Sequence, residues 1–181
     1  MRRRNGFTIV ETSLVLAIGG LILLMVFIAL PGVFRNQRDA ERRDDVLLFL
    51  NKLKNFQANN NRGALPSGDG EIITISGSEI TFGQMTSNTW KDFYQGFFDK
   101  SFTDPSSGEL YNWKIIKECK DKDTDGQCDD GLSNDFAVNN FTMYIIRNAI
   151  CDGEKAIYSA NPRNVAVRYK LEGGGIFCAN T

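Results

Sequence analysis

Between Thr12 and Phe34 the chain carries 23 consecutive residues without a charge. That exceeds the roughly 20 residues a helix needs to cross the hydrocarbon core of a bilayer. Residues 7–34 hold 20 apolar residues of 28 and one charge, Glu11, so a wholly soluble chain is excluded. Arg2, Arg3 and Arg4 precede the run, and the positive-inside rule then predicts a cytoplasmic N-terminus with the C-terminal 147 residues on the other side. The averages over 181 residues, 42% apolar with a net charge of −1, conceal this segregation. No His occurs, which removes the commonest general base, the Ser-His-Asp and Cys-His arrangements and most catalytic zinc sites. A charge balance near zero gives no basic footprint for duplex nucleic acid.

Three kinds of segment compete for such a run: a cleaved secretory signal, a plain signal anchor, and a processed anchor. A secretory signal needs small residues in an A-x-A-like arrangement at its cleavage site. Near the end of this run only Ala29 qualifies, and Phe27 stands where the second small residue should be. A plain anchor has no use for Glu11, because a carboxylate inside a membrane costs about 2.5–3.5 kcal/mol on insertion scales. A cut at the Gly6-Phe7 junction gives that acid a role: Phe7 then carries a free α-amino cation, which Glu11 can neutralise on its own chain or on a staggered neighbour.

Gly6-Phe7-Thr8-Ile9-Val10-Glu11, after an Arg-rich leader and before a long apolar helix, resembles the class III signal of the type IV pilin family. The resemblance implies that a prepilin peptidase cuts after Gly6 and methylates the Phe7 amine. It further implies that Glu11 pairs with the amine of an adjacent subunit as filaments assemble. Also implied is the α+β pilin fold: a long kinked helix packed by its C-terminal half on an antiparallel sheet, with a disulfide-bounded C-terminal region. The implied partners are other copies of the chain, the peptidase, an assembly platform with its ATPase, and the membrane before assembly. Nucleic acid is a partner that no feature indicates.

The expected organisation is a leader (1–6), a transmembrane and filament-core half-helix (7–34), an amphipathic half-helix (35–62) and a globular domain (63–181). Val46, Phe49, Leu50, Leu53 and Phe56 recur at spacings of three and four and form one apolar stripe. Arg38, Glu41, Arg42, Arg43 and Asp45 are expected on a solvated or subunit-facing surface. From Phe7 to about Asn60 the helix spans roughly 80 Å at 1.5 Å per residue. Pro31-Gly32 interrupts it and Gly19-Gly20 weakens it, so a kink or locally melted stretch is expected there.

Beyond Pro66 the periodicity changes. Glu71–Ser76 and Ser78–Phe82 read as a hairpin around Gly77, and Trp90, Phe93, Tyr94, Phe97 and Phe98 as an aromatic core stripe on a short helix begun near Asn88. Leu110–Glu118, Phe141–Arg147, Val165–Leu171 and Gly175–Cys178 read as strands. Cys119, Cys128, Cys151 and Cys178 allow three pairings. The favoured one joins Cys119 to Cys128 and Cys151 to Cys178, the second stapling the last strand as the C-terminal disulfide of many pilins does.

Between the first two cysteines and just beyond, Asp121, Asp123 and Asp125 alternate before Gly126. They match the first half of an EF-hand-type Ca²⁺ loop, with Gln127 offering a carbonyl and Asp129 or Asp130 completing the shell. Leu132 replaces the closing bidentate Glu, so the full motif fails. What remains is similar to the DxDxDG loops of extracellular modules; a solvated acidic turn is the alternative. The expected function is that of a filament subunit acting without catalysis. A pseudopilin of a secretion or competence system is the alternative, and a membrane-anchored extracellular binding domain the second.

Overall fold

The computed structural model describes residues 6–59, 63–66, 72–76, 79–82, 90, 93, 96, 102–116, 119, 128 and 142–181. The order is α1 (Ile9–Asn59), β1 (Ile72–Ser76), β2 (Glu79–Phe82), β3 (Asn112–Ile116), β4 (Thr142–Arg147), β5 (Ala149–Asp152), β6 (Lys155–Tyr158), β7 (Val165–Lys170) and β8 (Ile176–Asn180). Two compact units result, Met1–Gln37 and Arg38–Thr181.

In the first unit the apolar side chains of α1 stay exposed, from Phe7 at 88% through Leu16 at 75% to Phe34 at 50%. They bury nothing within their own chain, and α1 is long and apolar enough to cross a membrane. Of the kink or melted stretch expected at Gly19, Gly20, Pro31 and Gly32, the structure shows no melting: the helix runs unbroken through all four. A proline removes one intrahelical hydrogen bond and a glycine costs about 1 kcal/mol. Neither is enough to end a helix with many turns on both sides of it.

The second unit is built on the C-terminal part of α1. Val46, Phe49, Leu50, Leu53 and Phe56 are buried, each contributing about 1.5–3 kcal/mol by leaving water. They meet Trp113 and Ile115 of β3, Met143 and Ile145 of β4, and Val165, Val167 and Tyr169 of β7 in one cluster. Trp90 and Phe93, both helical and fully buried, close it, with Phe93 edge-on to Phe49 and Phe56 at 5.7 and 5.4 Å. Tyr94, Phe97, Phe98 and the helix start near Asn88 lie outside the described residues, as does the Gly77 turn.

The sheet has six strands in the order β2-β1-β3-β4-β7-β8. All its neighbours are antiparallel except β3 and β4, which run parallel with Trp113 opposite Met143. The expected antiparallel sheet on the helix is thus found, with one parallel neighbour pair that the sequence did not anticipate. Residues 117–141 separate these two strands, and a connection of that length can return the chain to the starting end, as a parallel pair requires. The far face of the sheet carries Tyr144, Ile146 and Ala166, which form a second cluster with all four cysteines, Ala149 and Ala156. Across that face lies a separate ribbon, β5 paired with β6, in a stretch to which the sequence reading assigns no element.

Candidate functional site

Gly6, Phe7 and Thr8 precede α1 in non-helical conformation and are exposed. The Gly6–Phe7 bond therefore lies outside the helix and in solvent. No heavy atom outside its chain neighbours lies within 4 Å of a Cβ built on Gly6. Helix residue numbering makes Thr8 the N-cap and Glu11 the third helical residue, the spacing of a capping box. The geometry fits it: the Thr8 N–H donates to Glu11 Oε2 at 2.8 Å, the Thr8 hydroxyl donates to the same oxygen at 2.8 Å, and the Glu11 N–H donates to Thr8 Oγ1 at 3.3 Å. An acid in the first helical turn also meets the positive end of the helix dipole. Phe7, Thr12, Val15 and Leu16 line an open, almost wholly apolar groove beside Glu11. The carboxylate that sequence reasoning treats as an awkward intramembrane charge thus has donors on its own chain. The sequence carries this signal as T-x-x-E, Thr8 to Glu11.

Some of the charges expected on a solvated helix surface form a buried clasp instead. Arg42 is 2% exposed. Its Nε donates to Asp104 Oδ2 at 2.7 Å and its Nη2 to Asp104 Oδ1 at 3.2 Å, while Nη1 reaches Asp39 Oδ1 at 2.9 Å. Tyr169 Oη adds a hydrogen bond to Asp104 at 3.0 Å. Asp39 in turn accepts the backbone N–H groups of Glu172 and Gly173, each at 2.8 Å, and Arg38 pairs with Glu172 at 2.6 Å. Tyr111 donates to Asp45 at 2.6 Å. The physical reason for the correction is pairing: Arg42 can leave water because Asp39 on the preceding turn of α1, Asp104 and, at 3.3 Å, Glu172 of the β7–β8 turn converge on its fork.

Burial opposes the charge on Arg42, but hydrogen bonds to Asp104 and Asp39 outweigh it and raise its pKa. Burial likewise pushes the Asp104 carboxyl up, and the bonds from Arg42 and Ser106 bring it net below its ordinary value. Glu172 is held at about 2, first by its hydrogen bond from Arg38. Asp45 is pushed up by burial, with the Tyr111 bond only partly opposing.

Both disulfides form as Cys119–Cys128 and Cys151–Cys178. Cys128 also donates its N–H to the carbonyl of Ala156 at 3.0 Å. The proposed calcium ligands Asp121, Asp123, Asp125, Gln127, Asp129 and Asp130 lie outside the described residues, as do the leader arginines.

Residues 1–27 match the family model of the prokaryotic N-terminal methylation motif. This match covers Gly6, Phe7 and Glu11, and it supports a type IV pilin or pseudopilin. It carries with it, in general terms, self-assembly and processing by a prepilin peptidase. The motif and the apolar helix fit a membrane-anchored precursor that later enters an extracellular filament. No curated protein and no solved structure is matched by the chain.

Proposed function

We propose that the chain is a structural subunit of a type IV pilus, cut after Gly6, N-methylated at Phe7 and polymerised by helix packing into an extracellular filament. The observation that carries the reading is the exposed apolar first unit of α1, capped by Thr8 and Glu11. Such a surface is stable in lipid or against other helices of its kind, and in neither setting does it need a catalytic group. Cleavage creates a cation at Phe7, next to the positive end of the helix dipole, where it is unfavourable unless a carboxylate approaches. Both bonds from Thr8 fall on Glu11 Oε2, so Oε1 can meet the amine of a neighbouring copy without dismantling the cap. Insertion runs N-in and C-out, and extraction from the membrane requires an assembly platform and its ATPase.

Electron microscopy of cells lacking the protein tests the role: loss of all filaments supports the major subunit, and persisting filaments support a minor subunit or pseudopilin. Glu11→Ala should leave membrane insertion intact and block assembly; normal filaments would remove the docking argument. Adhesion, twitching and DNA uptake are the filament activities to assay once filaments are seen.

The loop around Asp121, Asp123 and Asp125 is proposed as a Ca²⁺ site, with Gln127 and Asp129 or Asp130 completing the oxygens. Three carboxylates so close in sequence repel one another unless a cation intervenes. Titration calorimetry on the purified chain tests it; no heat at millimolar Ca²⁺ would exclude the site. Calcium loops of this kind are what keep the pseudopilin reading in view.

A further inference from the structure

The two disulfides share one apolar cluster but differ in access. Cys119 is 1% exposed and Cys128 3%, whereas Cys151 and Cys178 are both partly exposed. Thiol–disulfide exchange needs a thiolate to reach a sulfur, so this difference selects which bond an external reagent can open. We propose that Cys151–Cys178 is a redox modification site, at which an external dithiol frees the tip of the β5–β6 ribbon while Cys119–Cys128 stays closed.

The ribbon is built like a hinged flap. At its base the Asn148 N–H donates to the Asn164 carbonyl at 2.9 Å and the Ser159 N–H to the Asn148 carbonyl at 2.8 Å. Ala149, the first ribbon residue, is fully buried against the sheet. Asn148 itself holds a φ of +55°, the sharp backbone reversal between β4 and β5. Towards the other end, Asp152, Gly153, Glu154 and Lys155 are exposed. That end is pinned to β8 by the disulfide and by the Cys151 N–H, which donates to Asn180 Oδ1 at 3.2 Å. The tip also lies close to the β7–β8 turn, where a Cβ on Gly175 would stand 2.9 Å from Glu154 Oε1. The disulfide is thus the one covalent bond at the tip end, beside the Cys151–Asn180 hydrogen bond and the bond from the Cys128 N–H to the carbonyl of the buried Ala156, while the other end is held by backbone hydrogen bonds and the burial of Ala149.

The exchange balances with the dithiol as reductant. One of its thiolates attacks the Sγ of Cys151 or Cys178, the disulfide breaks, and the departing cysteine thiolate takes a proton from solvent. The second reagent thiol then resolves the mixed disulfide, leaving two cysteine thiols and an oxidised reagent, a transfer of two electrons. The inference is independent of which filament the chain builds.

The test treats the full chain in detergent micelles with dithiothreitol under native conditions, traps thiols by alkylation and maps them by peptide mass. Cys151 and Cys178 should become alkylated about ten-fold faster than Cys119 and Cys128. Hydrogen exchange at the amides of residues 150–157 should rise about ten-fold with them, while β4 and β7 keep their protection. A Cys151→Ser/Cys178→Ser variant should show the same ribbon exchange without reductant; if it fails to fold, the native-chain measurement decides alone. Equal rates for the two bonds, earlier opening of Cys119–Cys128, reduction only on global unfolding, or unchanged ribbon exchange would each overturn the proposal.

Discussion

At the residue scale, Arg42 shows how a charge changes meaning once its partners are known. Its sequence neighbourhood, Arg38 to Asp45, is a mixed-charge stretch typical of a solvated helix face. In the fold it is the cation shared by Asp39 and Asp104, and Asp104 is 0% exposed. Replacing only one member of a buried pair strands the other, so Arg42→Met should destabilise the second unit by about 3–5 kcal/mol. Denaturant unfolding of the detergent-solubilised chain measures it. Adding Asp104→Leu to Arg42→Met should recover part of the loss, because the stranded carboxylate is then gone. Glu11 illustrates the reverse case. Its importance was legible from its place in an apolar run, and the structure adds the Thr8 donors that make it tolerable there.

At the element scale, the clasp joins α1 to residues 102–107 and to the β7–β8 turn, and its strength depends on pH. Asp104 and Glu172 both have lowered pKa values in the fold. Groups lowered on folding stabilise fully above their unfolded values, about 3.9 for Asp and 4.3 for Glu, and lose that contribution as pH falls through the folded value. Stability should thus decline as pH drops from about 4 toward about 2, the value at which Glu172 is held. Asp45, raised by burial, acts with the opposite sign: its contribution is present at low pH and fades as pH rises through its folded value. Thermal unfolding followed between pH 2 and 6 checks the slope, and Asp104→Asn should flatten it.

The second disulfide belongs to the same scale. Cys151–Cys178 links β5 to β8 across 27 residues. Replacing both cysteines by serine should cost about 2–5 kcal/mol, read as a lower denaturation midpoint. The strands themselves were largely visible from β-branched runs between Gly, Asp and Asn clusters. The β5–β6 ribbon was missed because Ala149–Asp152 and Lys155–Tyr158 are four residues each, too short for alternation to stand out. Pairing was legible for the β1–β2 hairpin, whose strands are neighbours in sequence, but the parallel β3–β4 neighbours follow from where a long connection re-enters the sheet, and local pattern does not encode that.

At the scale of the whole molecule, every residue of the two core clusters lies at or beyond Val46. A chain beginning at Arg38 should therefore fold as a soluble unit, retaining the clasp and both disulfides. Circular dichroism and gel filtration of residues 38–181 check this, and a fragment that aggregates or lacks cooperative unfolding would contradict it. The proposed cut after Gly6 would remove Arg2, Arg3 and Arg4 and shift the formal balance to 18 basic against 22 acidic residues. On that proposal the near-neutrality of the whole chain belongs to the precursor.

By itself the sequence determined the apolar helix, its N-terminal methylation motif and the place of Glu11 within it, because these depend on order and spacing along one segment. It also determined which stripe of the later helix would be buried, since helical periodicity is local. Only the tertiary structure decided that Arg42 is a core residue, that β3 and β4 run parallel, and that one disulfide is sealed while the other lies within reach of solvent. Those depend on groups more than sixty residues apart in the case of Arg42 and Asp104, and burial is a property of the assembled neighbours rather than of any residue alone.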